Sequence, residues 1–173
     1  MRHEFSLAHL SALSLSPPEM VDVAARTGYR YVGLRLIAVT PTEPRYPLAE
    51  DQDMMRETCA SLADTGVDVL DIELARLTPD VDVSTFAPLL EAGARLGAKH
   101  VIAQTPDPER SRAIQHFAQL CELANQFKLG VDLEFVTWTA TADLDAAVAI
   151  VKAADQVNAG ILVDTLHFCR SGC

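Results

Sequence analysis

Short apolar runs rich in Val, Ile and Leu alternate along the chain with longer stretches of helical periodicity, and this alternation limits the fold more than any other feature. It is the mark of a βα repeat feeding a parallel sheet. Strands are expected near Phe5–His9, Tyr29–Arg35, Val67–Leu74, His100–Gln104, Val131–Phe135 and Gly160–Asp164. The later ones recur about every 30 residues, the length of one βα unit.

Helices fill the gaps and carry their own start signals. Ser16-Pro17-Pro18-Glu19 puts a capping serine before proline, with Glu19 in capping-box position. Pro106-Asp107-Pro108-Glu109 and Thr141-Ala142-Asp143 open the fourth and fifth helices with acidic residues near the positive helix end. Gly28, Gly66, Gly97 and Gly130 each follow a helical stretch, where glycine takes a left-handed cap at little steric cost.

Two parallel architectures fit such a repeat. An open doubly wound sheet carries a glycine-rich turn after its first strand, but here that stretch reads Ser6-Leu-Ala-His9-Leu-Ser-Ala-Leu, and no GxGxxG or Walker loop occurs. Polar residues instead recur at successive strand ends, in the manner of a (β/α)8 TIM barrel. The fold expected is therefore α/β, a single domain over residues 1–173. A closed barrel needs eight strands in roughly 250 residues. With about six βα units, the barrel is expected to be incomplete at its C-terminal side, and the chain made alone to aggregate, stay partly molten or pair as a homo-oligomer.

Composition narrows the partners. A formal net charge of -10 with no basic cluster argues against nucleic acid, whose phosphates are bound mainly by Lys and Arg. No apolar run approaches the roughly 20 residues of a membrane span. Cys59, Cys121, Cys169 and Cys173 show no CxxC spacing, which predicts reduced thiols in a cytoplasmic protein, with Cys59 and Cys121 buried.

In a barrel, side chains at the C-terminal strand ends point into the active-site mouth. Those positions are His9, Arg35, Glu73, Gln104, Glu134 and Asp164, with His167 three residues further on. Glu134 and Asp164 close adjacent strands, so two carboxylates can converge on one divalent cation: Mg, Mn, Co or, with oxygen ligands, Zn. Each also has a structural reading: Glu134 as a strand-end carboxylate bonded to a loop, Asp164 as the cap of the next turn. His167 is expected to contact substrate, with metal ligation or simple packing in the mouth of the barrel as the alternatives. Arg170 suits an anionic group on a ligand or a plain surface position. Glu73, His9 and Gln104 complete the candidate substrate-binding set; a Glu73–Arg76 salt bridge is the alternative for Glu73. His3, His100 and His116 read as structural or surface residues.

Val131-Asp-Leu-Glu134-Phe and Leu162-Val-Asp164-Thr-Leu-His167-Phe resemble the fifth and sixth strands of the xylose isomerase-like TIM barrel superfamily. That superfamily holds sugar phosphate isomerases and epimerases, inosose dehydratase and apurinic-site endonucleases. The resemblance spans nearly the whole chain, although the specific motifs lie in its last two strands. It implies a metal bound by Glu134 and Asp164, with further ligands on a seventh and an eighth strand beyond Cys173, and a substrate-contacting His167. The activity it implies is isomerisation or epimerisation of a small-molecule sugar, sugar phosphate or polyol. Glu134 would move the proton through an enediolate. An inosose-type dehydratase on the same metal site and a non-catalytic barrel fragment are the alternatives. The endonuclease branch needs a His-rich multi-zinc site and a DNA-accepting surface, which five histidines and the net charge of -10 do not supply.

Overall fold

The computed structural model describes residues 3–172. Six strands form one sheet: β1 (Ser6–Ala8), β2 (Tyr31–Arg35), β3 (Asp68–Arg76), β4 (His100–Gln104), β5 (Gly130–Glu134) and β6 (Ala159–Leu162). They lie side by side in chain order, every neighbouring pair parallel. Helices α1 (Pro17–Thr27), α2 (Gln52–Thr65), α3 (Ala87–Arg95), α4 (Arg110–Gln126) and α5 (Leu144–Ala154) connect them, and α6 (Thr165–Ser171) follows β6. This is the α/β order expected of a βα repeat.

The helix starts follow local chemistry. Glu19 accepts hydrogen bonds from the Ser16 backbone N (2.7 Å) and hydroxyl (2.6 Å), and two prolines lead α1. Glu109 and Asp143 cap α4 and α5 by accepting from backbone N–H groups of the first turn. Gly28, Gly66 and Gly97 take left-handed conformations after their helices, as expected. Gly130 does not. It is the first residue of β5, and Lys128 is the left-handed residue of that turn. Glycine is needed at 130 for space, because a Cβ there would stand 2.7 Å from His100 Nδ1.

Alternation along each strand divides the sheet into two faces. Val32, Leu34, Ile72, Val101, Ala103, Val131 and Leu133 are fully buried under Met20, Ala24, Met55, Leu90, Phe117 and Leu120. Each buried Val, Leu, Ile, Met or Phe side chain contributes about 1.5 to 3 kcal/mol. The intervening residues face the other way and are mostly polar: Arg35, Asp71, Glu73, His100, Gln104, Asp132 and Glu134. Their mutual contacts show this, with Arg35 on Glu73, Gln104 on Glu134 and His100 beside Asp132.

Most strand bounds differ from expectation by one or two residues, and at the C-terminal ends the largest differences are in β3 and β6. β3 runs on to Arg76, its ladder with β4 slipping between Ile72 and Ala75, which takes up extra residues. β6 stops at Leu162 because Asp164 is already the N-cap of α6. Cys121 is buried, and burial pushes its thiol up to about 12, so it is inert. Cys59 is only half-buried: the buried stripe of α2 passes through Met55 and Thr58 and leaves Cys59 at its margin. Cys169 is exposed, and Cys173 lies outside the described residues. Among the described residues no helix is long and apolar enough to cross a membrane.

Candidate metal centre

β5 and β6 pair in register, Glu134 opposite Leu162, so Asp164 emerges just beyond the end of β6 on the face that carries Glu134. Asp164 then does two things. Its Oδ1 accepts the His167 backbone N–H at 2.9 Å, capping α6, and this first turn folds the His167 ring back toward the carboxylate. Glu134, Asp164 and His167 each bring one ligand atom into a cluster whose members lie within 4.8 Å of one another. The capping reading and the ligand reading of Asp164 are compatible, since a carboxylate has two oxygens.

Gln104, at the end of β4, donates to Glu134 Oε2 at 2.6 Å and fixes that carboxylate. Burial raises the pKa of Glu134; the Gln104 hydrogen bond and the nearby His167 pull it down, while Asp164 and Glu73 push it further up. His167 is buried, with Nδ1 3.4 Å from the Thr137 hydroxyl and its ring edge-on to Trp138 at 4.7 Å. Two carboxylates and one imidazole within a few ångströms are a donor set that suits Mn, Mg, Co or Zn. The residues present therefore fit a divalent cation.

The other candidates take different places. Glu73 is held by Arg35 at 3.1 Å, not by Arg76, which is exposed on β3. Arg35 is held in turn by Glu43 at 3.3 Å. His9 is fully buried: Nε2 lies 2.8 Å from the Leu15 carbonyl, Nδ1 accepts from the Arg35 backbone N–H at 3.0 Å, and the ring stacks on Tyr46. Both ring nitrogens are thus used inside the fold, and burial lowers its pKa, keeping it neutral. Arg170 is exposed in the last turn of α6. His3 is exposed, His116 sits half-buried in α4, and His100 lies at the start of β4, its Nδ1 3.0 Å from Asp132 Oδ2 but not aligned as a hydrogen bond. Trp138, Asp71 and Asp132 were not anticipated as part of this inner surface. For the two aspartates the available signal was the pair of charges two apart in Asp71-Ile-Glu73 and Asp132-Leu-Glu134, which puts both charges of each strand on one face.

No family model matches the sequence, and no curated protein does. Solved structures match by fold. The IolI protein with a bound zinc atom aligns with TM-score 0.80 and 18% identity over 98% of this chain and 66% of that one. The probable 3-DHS dehydratase AsbF of Bacillus anthracis aligns with TM-score 0.79 and 19% identity over 99% of this chain and 66% of that one. D-psicose 3-epimerase of Clostridium cellulolyticum, solved with D-tagatose, aligns with TM-score 0.77 and 14% identity over 95% of this chain and 64% of that one. The chain shares the fold of these structures and of one described as a xylose isomerase domain protein, and spans about two thirds of their length.

Proposed function

We propose that Glu134 and Asp164 hold a divalent cation and that the protein is an isomerase or epimerase of a sugar, sugar phosphate or polyol. The convergence of Glu134, Asp164 and His167 within 4.8 Å carries this reading. The zinc in IolI and the epimerase activity named for a protein of like fold support it. When bound, the cation would polarise a substrate carbonyl or acidify a hydroxyl. Glu134 takes a proton from the carbon beside that carbonyl to give an enediolate; returning it to the former carbonyl carbon isomerises the substrate, while epimerisation needs a second group to deliver a proton to the opposite face. Gln104 donates to one oxygen of Glu134 and fixes the orientation of the carboxylate. His167 donates to a substrate oxygen, its ring kept in place by the Asp164 cap on its own backbone.

A dehydratase shares the first proton transfer and differs only in expelling a β-hydroxyl; the likeness to AsbF favours it as the second reading. Mass spectrometry of the products separates the two, since only the dehydratase loses water. For either, Glu134→Gln should lower turnover by at least about 100-fold, the usual span for a lost general base, with the thermal transition retained. Wild-type turnover by the variant at saturating metal contradicts the assignment.

A further inference from the structure

His167 is gripped at three points. Asp164 accepts its backbone N–H, Trp138 meets its ring edge-on at 4.7 Å and an interplanar angle of 74°, and the Thr137 hydroxyl lies 3.4 Å from its Nδ1. That hydroxyl makes no other hydrogen bond among the described residues.

Thr137 itself stands on a braced turn. The Val136 N–H donates to the Thr141 carbonyl at 2.9 Å, and the Thr139 N–H donates back to the Val136 carbonyl at 2.8 Å. The buried Thr141 hydroxyl donates to the Thr105 carbonyl at 2.9 Å and lies 2.6 Å from the Thr105 hydroxyl, itself buried. Thr105 directly follows Gln104, which holds Glu134. The end of β4 therefore fixes Glu134 directly and Thr137 through this turn.

A neutral imidazole has one N–H and one lone pair, and its partners decide which nitrogen keeps the proton. His9 illustrates the rule. Its Nδ1 accepts from the Arg35 backbone N–H, so the proton sits on Nε2 and is donated to the Leu15 carbonyl. Around His167, ionised Glu134 and Asp164 can only accept, while Trp138 offers a ring contact. The Thr137 hydroxyl is the neighbour that can donate to the lone pair.

We infer that Thr137 is a positioning residue: it donates to Nδ1 of His167, holds the ring proton on Nε2, and so makes His167 a hydrogen-bond donor to substrate and not a ligand of the cation. The inference rests on the metal-site reading above. It is tested on 15N-labelled protein at pH 8, above the titration of an ordinary imidazole, by two-bond 1H–15N correlation spectra, which show the nitrogen that carries each ring proton. The His167 signals are those lost in His167→Gln, and His9 serves as internal standard. In the wild type His167 should show the Nε2–H pattern of His9, with and without Mg2+. Thr137→Val keeps the shape and removes the hydroxyl. It should shift the His167 tautomer ratio toward Nδ1–H by about fivefold, the weight of one net hydrogen bond, and leave His9 unmoved. Thr137→Ser, which returns the hydroxyl, should restore the wild-type ratio. A wild-type Nδ1–H tautomer, loss of the Nε2 proton when Mg2+ is added, an unmoved ratio in Thr137→Val, or no recovery in Thr137→Ser overturns the inference. Mg2+ affinity is measured alongside by calorimetry. If Asp164→Asn binds Mg2+ as well as the wild type, the metal-site reading falls, whatever the tautomer does; if Mg2+ binding depends on Asp164 and the tautomer ignores Thr137, the inference alone falls.

Discussion

The inner face of the sheet carries carboxylates at two depths, and the two depths are built differently. At the mouth, Glu134 and Asp164 meet His167, and Gln104 donates to Glu134. Deeper in, Asp71 packs on Gly33 and Asp132 on Gly160. Cβ atoms at those glycines would stand 2.5 Å and 2.2 Å from the respective carboxylate oxygens. Burial raises the pKa at both depths. Asp71 goes up to about 7, with Glu73 and Asp132 adding to the effect of desolvation; Asp132 is also raised, against the pull of His100. A perturbed carboxyl therefore does not by itself mark the chemistry here. What separates the two regions is convergence: both mouth carboxylates meet at one imidazole, while the deep ones are split, Asp132 beside His100 and Asp71 against Gly33.

The sharpest way to break this comparison is turnover. Glu134→Gln should remove at least about 100-fold, while Asp71→Asn should keep activity near wild type, because a base acts only where substrate can reach it. Equal losses would mean that the deep layer belongs to the reaction.

Next in size is the pH dependence of stability. The folded Asp71 carboxyl, with its pKa raised from 3.8 to about 7, keeps a proton that the unfolded chain has released over that interval. The folded state binds more protons there, so this group's contribution is full below about pH 4 and is lost as pH rises toward 7. Asp71→Asn, which stays neutral, should flatten the profile and stabilise the protein at pH 8 by up to about 4 kcal/mol. Urea unfolding at pH 4.5 and pH 8 measures it; an unchanged slope would show that Asp71 is solvated.

A smaller effect is expected at Gly160. Gly160→Ala pushes a methyl into Asp132 and should cost about 1 to 3 kcal/mol, as overpacking does. Adding Asp132→Ala should recover most of that. If Gly160→Ala alone melts like the wild type, the deep layer has room that the packing does not suggest.

The sequence disclosed the repeat and the mouth far better than the interior. His100–Gln104 was placed residue for residue, because an apolar run bounded by Gly97 and a capped helix has little freedom to shift. Glu134 and Asp164 were legible because the C-terminal end of a parallel strand is a defined place. His9 shared that position, but its ring is clamped between the Leu15 carbonyl and the Arg35 amide, partners brought close only by tertiary folding. The deep layer was hidden for a related reason. Asp71 and Asp132 read as isolated charges until the fold sets them against Gly33 and Gly160. Trp138 belongs to no periodic pattern, and nothing in the chain order predicts that it meets His167.

The central claim is that Glu134 and Asp164 hold one divalent cation beside His167. Titration of the protein with Mn2+, followed by electron paramagnetic resonance of the free ion, tests it most directly. A single site is expected, weakened by at least about tenfold in Asp164→Asn and in Glu134→Gln, since each removes a charged oxygen donor, and unchanged in Asp71→Asn. Mn2+ affinity that is indifferent to Glu134 and Asp164, or that is lost with Asp71, would contradict it.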